Sequence, residues 1–312
     1  MTSYILRRLW QMLPTMLGVI LLVFILFNWV GGDPAYVLAG KMSNPEQIAN
    51  IRRQLGVDQP FYIQLWIFIK QIATFDFGSS WSTGETVANV IKTRLGPSMT
   101  VLIPLTILET LLAVALALAI AFVRGSLTDR AVMVACTVGM SISILVYIIV
   151  FQYWFAYKLG IFPVQGWGDS VAENLFRYSL LPILIGLAVS VAPSLRLFRT
   201  FVLDEVNQDY VRTARAKGVS ERRILWVHVL RNAAIPIITH VMSNLPALLI
   251  GAFLIERFFS IPGIGREVIL AVERSDFPVI KAITVYVAAA TMVFNLLTDL
   301  IYQAVDPRVQ LK

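Results

Sequence analysis

Long apolar runs, separated by polar and mostly basic segments, set the pattern of this chain. Six of them occupy residues 9–30, 100–123, 131–157, 180–201, 235–255 and 279–301. A hydrocarbon core about 30 Å thick is crossed by roughly 20 residues of helix. The pattern therefore predicts an all-α, polytopic membrane protein with six transmembrane helices. Arg7 and Arg8 precede the first run, as basic residues precede the core of a signal peptide. The apolar core is too long for one and no small-residue cleavage site follows it, so the run reads as a retained helix.

Six crossings put both termini on one side. Arg7, Arg8, Arg124, Arg130, Arg308 and Lys312 fall on one face, with Arg196, Arg199, Arg212, Arg215, Lys217, Arg222, Arg223 and Arg231. Short basic loops stay in the cytoplasm, so both termini are expected there. Residues 1–30 then form an N-terminal transmembrane helix and 31–97 an extracytoplasmic segment. Residues 98–312 form a five-helix core with a long cytoplasmic loop at 202–234.

The 31–97 segment carries helical signals of its own. Ser43-Asn44-Pro45-Glu46 fits a capping box, Ile48, Ile51 and Leu55 share one face, and Gly56 suits the stop. Ser82-Thr83-Gly84-Glu85 reads as a second box ahead of Val87, Val90, Ile91 and Leu95. Residues 61–75 carry Phe61, Tyr62, Leu65, Trp66, Phe68 and Ile69, a set that suits a membrane interface. Two readings stay open: a small cap packed on the bundle, or a contact surface for an external partner.

Composition agrees with a membrane-spanning chain. Of 312 residues, 57% are hydrophobic and 14% charged, against about 25% charged in soluble domains. The mean hydropathy is +0.73. These values exclude a disordered chain, a disulfide scaffold and an ordinary cytosolic enzyme. The net charge of +7 belongs to the loops of a membrane protein and points to lipid, not to nucleic acid. One cysteine, Cys136, gives no internal disulfide, and two histidines, His228 and His240, are too few for a His-rich metal site. The chain has no G-x-x-x-x-G-K-[ST], H-E-x-x-H, C-x-x-C or G-x-S-x-G. Gly263-Ile264-Gly265 lacks the third glycine of a dinucleotide fingerprint. No catalytic residue, metal site or cofactor is expected on this chain.

The informative segment lies between the fourth and fifth runs. Residues 207–217 can form a short helix, Gly218 suits a left-handed stop, and Ser220 with Glu221 suits the start of a second helix. Tyr210, Val211 and Ala214 make an apolar edge among positive charges. On pattern alone this is a basic amphipathic hairpin, which is most often a solvated or lipid-facing loop.

This loop resembles the cytoplasmic "EAA" loop of permease subunits in bacterial ABC importers, whose general form is E-A-A, three residues, G, nine residues, I-x-L-P. Gly218 and Ala214 match, while Arg212, Thr213 and His228-Val229-Leu230-Arg231 depart from it. The run from Arg212 to Gly218, followed by His228-x-Leu230-Arg231-Asn232, is similar to the peptide-importer branch. So are Gly32-Asp33-Pro34, Arg53 to Pro60, Phe258 to Gly265 and Asp306-Pro307-Arg308. The resemblance covers nearly the whole chain and is to the first, B-type membrane subunit of dipeptide and oligopeptide importers, a type that nickel and glutathione importers share.

The resemblance implies a type I ABC importer permease in the bacterial inner membrane, forming half of a path for di- or oligopeptides. Its implied partners are a second homologous permease, two ATP-binding subunits and an extracytoplasmic substrate-binding protein. ATP and Mg would sit on the ATP-binding subunits. Those subunits would dock on Tyr210, Val211, Arg212, Thr213, Ala214, Arg215, Lys217 and Gly218. Nickel fits less well as cargo, since the spans hold no cluster of His or Cys ligands.

Polar groups at membrane depth are expected to face the bundle or a wet cavity. Glu109 sits mid-span, Asp299 near the inner end of the last run where water or a loop arginine can reach it, and His240 in the fifth. Pro182, Pro193, Pro236 and Pro246 interrupt runs four and five, and Ser190, Ser194, Ser243 and Asn244 lie near them. Together they mark a candidate translocation path, with close helix packing as the equal alternative. The alternative from another class is a stand-alone secondary transporter, coupled to protons or ions through Glu109 or Asp299.

Overall fold

The computed structural model describes residues 2–30, 34–39, 44–250 and 252–305. The Gly32-Asp33, Ser43 and Asp306-Pro307-Arg308 positions lie outside them. Among the described residues the chain is helical, apart from one antiparallel bridge between Ser79 and Thr86.

The first span is α1 (Thr2–Ile25), which continues as a π-helical turn to Val30. Three short helices follow: α2 (Pro34–Ala39), α3 (Pro45–Leu55) and α4 (Phe61–Thr74). The box that starts α3 lies one residue later than expected. Asn44 is the N-cap, and its N–H donates to Gln47 Oε1 at 3.4 Å. Gly56 ends α3 with φ 66°, the left-handed value that a residue without a Cβ takes freely. The α4 helix packs onto the first span through Phe68, which is buried, and through an edge contact of Phe61 with Phe24 at 5.2 Å.

The second span is α5 (Val87–Phe122), one uninterrupted helix of 36 residues. At 1.5 Å per residue it is about 54 Å long, so it crosses the bilayer and projects well beyond it. The expected division at 97/98 therefore falls inside a helix. Ser82-Thr83-Gly84-Glu85 does not cap it either, because Thr86 is the N-cap. The Ser80–Ser82 turn instead gives its donors to Asp276.

The third apolar run is not one straight helix. It divides into α6 (Leu127–Ser141) and α7 (Ile144–Phe151), the latter extended by a π-helical stretch to Lys158, with a 92° bend between the two arms. Ser143 causes the break: it is extended, and its hydroxyl accepts from Leu145 N–H to start a new helix. The short α8 (Val171–Glu173) leads into the fourth span, α9 (Leu180–Val206). The hairpin follows as α10 (Asp209–Ala216) and α11 (Glu221–Arg223), and the latter runs through a π-helical turn into the fifth span, α12 (Leu230–Ile250). The fifth span thus ends before Ile255, which belongs to α13 (Phe253–Phe258). Then come α14 (Ile264–Glu273) and the sixth span, α15 (Phe277–Val305). Among the described residues five helices are long and apolar enough to cross a membrane, and the bent α6–α7 pair makes the count up to six.

The spans pack α5 on α9, α12 on α15 and α1 on α15. Gly186 lets α9 approach α5, since a Cβ there would sit 2.6 Å from the Leu105 side chain. Pro182 lies in the first turn of α9, where proline is tolerated, so it breaks nothing. Pro193, Pro236 and Pro246 do lie inside helices.

Candidate functional site

The hairpin between the fourth and fifth spans is a built object. Gln208 is extended and α10 starts after it. At the far end Gly218 has φ 76°; its N–H donates to Arg215 O at 2.9 Å and the Val219 N–H donates to Ala214 O at 3.2 Å. That double bond pattern closes the helix and reverses the chain. Arg215 clamps the reversal: Nε donates to Glu221 Oε1 at 2.6 Å and Nη2 to Oε2 at 3.1 Å. The pairing holds the Glu221 carboxyl below the usual glutamate range and raises the Arg215 guanidinium further. Ser220 is extended as an N-cap should be, but its side chain makes no capping bond.

The apolar edge faces inward. Val211 is fully buried and Ala214 nearly so, in a cluster with Phe198 and Val202 of α9 and Ile224, Leu225 and Val229 beyond the turn. Tyr210 is half-buried against the same cluster, and its hydroxyl donates to Glu205 at 2.7 Å. Burial, with a smaller push from Glu205, lifts its pKa to about 12. Val211 and Ala214 thus pack into the chain's own core. A half-exposed hairpin has to bury its apolar stripe somewhere, and its own spans are nearer than any partner. The outward face carries Arg212, Thr213, Arg215, Lys217 and Gly218, all exposed.

The residues proposed for a path are less unified. Ser194 is buried on α9, and the Ser190 hydroxyl is buried without a hydrogen-bond partner. Glu109 on α5 is half-buried and accepts only a long bond from its neighbour Thr110, 3.4 Å. Ser243 and Asn244 on α12 are exposed, and Asn244 turns back onto His240 at 3.1 Å and 3.0 Å. His240 in turn packs edge-on to Phe198, 5.7 Å between centroids. No hydrogen bond among the described residues joins Glu109 to these groups. Nor is there, among them, any group of three His, Cys, Asp or Glu side chains that could hold a metal.

Several anchoring pairs had no signal in the sequence. Asp276 is buried and accepts from Ser80 Oγ, from Ser82 Oγ at 2.9 Å, and from Trp81 and Ser82 N–H at 3.1 Å and 3.2 Å. This ties the 31–97 segment to the start of the sixth span. Glu256 is buried under Ser98 Oγ at 2.8 Å, Ala252 N–H at 3.1 Å and Arg266 N–H at 3.0 Å. Arg8, not a loop arginine, meets Asp299 at 2.8 Å. Lys281 is a charge inside an apolar run, and such a charge is itself a signal in the sequence.

Comparison with known proteins completes the picture. A profile described as "Binding-protein-dependent transport system inner membrane component" matches residues 109–311. A second, "Binding-prot-dependent transport system membrane comp, N-term", matches residues 1–102. The chain is 34% identical over 319 residues to the glutathione transport system permease protein GsiC of Salmonella typhi, covering 100% of both. It is 33% identical over 313 residues to "Probable peptide ABC transporter permease protein y4tP" of Sinorhizobium fredii (strain NBRC 101917 / NGR234), covering 99% of this chain and 100% of the relative. None of these relatives is a stand-alone secondary transporter by name, and that alternative gains no support. With the two profiles spanning a bundle of membrane-length helices, the chain belongs to the family of inner-membrane components of binding-protein-dependent transport systems, the permeases of ABC importers.

Proposed function

We propose that this permease carries peptides in the dipeptide to oligopeptide range, glutathione included, as one half of a path completed by a second homologous permease. The support is the full-length likeness to permeases named for glutathione and peptide transport. Two ATP-binding subunits, with ATP and Mg on them, dock from the cytoplasm, and a substrate-binding protein delivers cargo from the other side. Both termini lie in the cytoplasm. This chain hydrolyses nothing itself.

The observation that carries the mechanism is the fixed hairpin. Arg212, Thr213, Lys217 and the Gly218 turn face outward, while Val211 and Ala214 are locked into the core shared by α9 and α12. A hairpin gripped in this way moves as one piece with both spans, since close-packed contacts lose much of their attraction over less than one ångström. Docked ATP-binding subunits that close on ATP would displace the outward face and turn the fourth and fifth spans with it. Glu109, Ser190, Ser194, Ser243 and Asn244 are the polar groups that this motion would bring to the path. Reconstitution tests the reading: uptake should need ATP, the ATP-binding subunits and the second permease together. Uptake by this chain alone on a proton gradient would overturn it.

A further inference from the structure

A cavity of about 290 Å³ with a mixed polar and apolar lining opens between the end of the first span, α3, α4, the 77–81 loop and the start of α15, and Lys281 lines it. Lys281 Nζ donates to Asn28 Oδ1 at 3.0 Å and lies 5.9 Å and 5.7 Å from the ring centroids of Phe27 and Phe68. Asn28 Nδ2 donates to Gln64 Oε1 at 2.9 Å, which turns the Asn28 oxygen toward the ammonium. Among the described residues no carboxylate pairs with Lys281. An ammonium has three donors, and this one has a single neutral acceptor. A charge set in a membrane-spanning helix is costly without a counter-charge or water, and an anionic group entering the cavity would supply the counter-charge.

Two mainly apolar cavities of about 230 Å³ and 450 Å³ adjoin it: the first lies among α4, α5 and α15 with Met16 of α1 and has Lys92 in its lining, and the second lies between α1 and α15. The Lys281 cavity and the first of these share Phe77, and the other two share Met16 and Ala289. On α15 the lining steps through Lys281, Val285, Ala289 and Val293. Steps of four keep these residues on one helical face, and twelve residues span about 18 Å. Half of a hydrocarbon core is about 15 Å. A cation at one end of a row of adjoining, mainly apolar cavities about one leaflet deep suits a lipid with an anionic head.

We propose that the seam between α1 and α15 binds an anionic phospholipid, its phosphate held by Lys281 and one acyl chain lying over Ala289. The lipid would lie against the first and sixth spans, beside their direct packing through Ile20, Val23, Phe24 and Val285. This does not rest on the importer reading, because lipid retention is measured without transport.

The test is native mass spectrometry of the complete transporter complex, purified in mild detergent from membranes containing acidic and zwitterionic lipids. The wild-type complex and Lys281→Arg should retain acidic phospholipid. Lys281→Gln should retain about tenfold less, as loss of one charge-assisted hydrogen bond implies. Ala289→Phe, which fills the apolar cavity and leaves Lys281 intact, should also lose it, and it carries the test if Lys281→Gln does not assemble. Inorganic phosphate bound without lipid, a partner helix filling the seam with no lipid retained, or equal acidic lipid in wild type and Ala289→Phe would each overturn the proposal.

Discussion

Arg215 and Glu221 grip each other across Gly218, with both guanidinium contacts between 2.6 Å and 3.1 Å. The pair bridges the last turn of α10 and the first turn of α11 and fixes the angle between them. The hairpin's shape thus depends on one left-handed glycine and one ion pair, and its position on the burial of Val211 and Ala214.

Gly218→Val should assemble but transport poorly. A Cβ at Gly218 meets no atom within 4 Å, so the penalty comes from the backbone at φ 76° and not from a clash. That penalty is roughly 1–2 kcal/mol, more for a β-branched residue. The hairpin would relieve it by changing its angle. ATPase activity uncoupled from uptake is the expected result in reconstituted complexes. Full uptake at normal expression would make the loop a mere connector.

Acid should loosen the hairpin before it loosens the bundle. Glu221 has a pKa lowered in the folded state by Arg215. Its contribution is therefore fully present above the ordinary glutamate pKa and is lost as pH falls through the lowered value. Hydrogen exchange over 209–223, corrected for intrinsic rates, should show protection at pH 7 and less near pH 3. Glu221→Gln should remove that extra pH dependence. The effect is small because both side chains are partly exposed.

Asp276→Ala should destabilise the complex by roughly 3 kcal/mol, because the Ser80–Ser82 donors lose a buried charged acceptor. Thermal unfolding in detergent should shift down, and protease should cut near 80–86 sooner. Asp276→Asn, which keeps one oxygen acceptor, should lie between. An unchanged midpoint in Asp276→Ala would show that the turn is held by other contacts.

Glu256→Gln is a sharper substitution than its size implies. Ser98 and Ala252 donate to Oε1, and Arg266 N–H to Oε2. An amide presents two hydrogens of its own to donors on one side. The expected cost is about 1–3 kcal/mol, read as a lower unfolding temperature with α13 and α14 exchanging faster. A midpoint equal to wild type would contradict the donor geometry.

The apolar runs made the spans legible, because a helix in hydrocarbon must be apolar along its whole length. The hairpin was legible through Gly218, since a left-handed stop leaves a glycine in the sequence. Its inward-facing edge was not, because a stripe such as Tyr210, Val211 and Ala214 has the same pattern whether it meets the chain's own core or a partner. The bend in the third run was hidden for a similar reason: Ser143 reads as an ordinary small residue until its hydroxyl is seen starting a new helix. The continuity of α5 through Pro97 was obscured by a turn-like Ser82-Thr83-Gly84-Glu85, of which Ser82 donates to Asp276, almost two hundred positions away. Pairs such as Ser98 with Glu256, or Arg8 with Asp299, join distant parts of the chain, and no local spacing encodes them.

The central claim is that this chain moves cargo only when ATP-binding subunits act on its hairpin. Proteoliposomes holding the assembled complex, loaded with labelled peptide and binding protein on one side, measure this directly. Uptake should require ATP at the face that bears the hairpin, persist with the proton gradient collapsed, and stop when the ATP-binding subunits are omitted. Uptake that survives their omission, or that follows the proton gradient without ATP, would contradict the account.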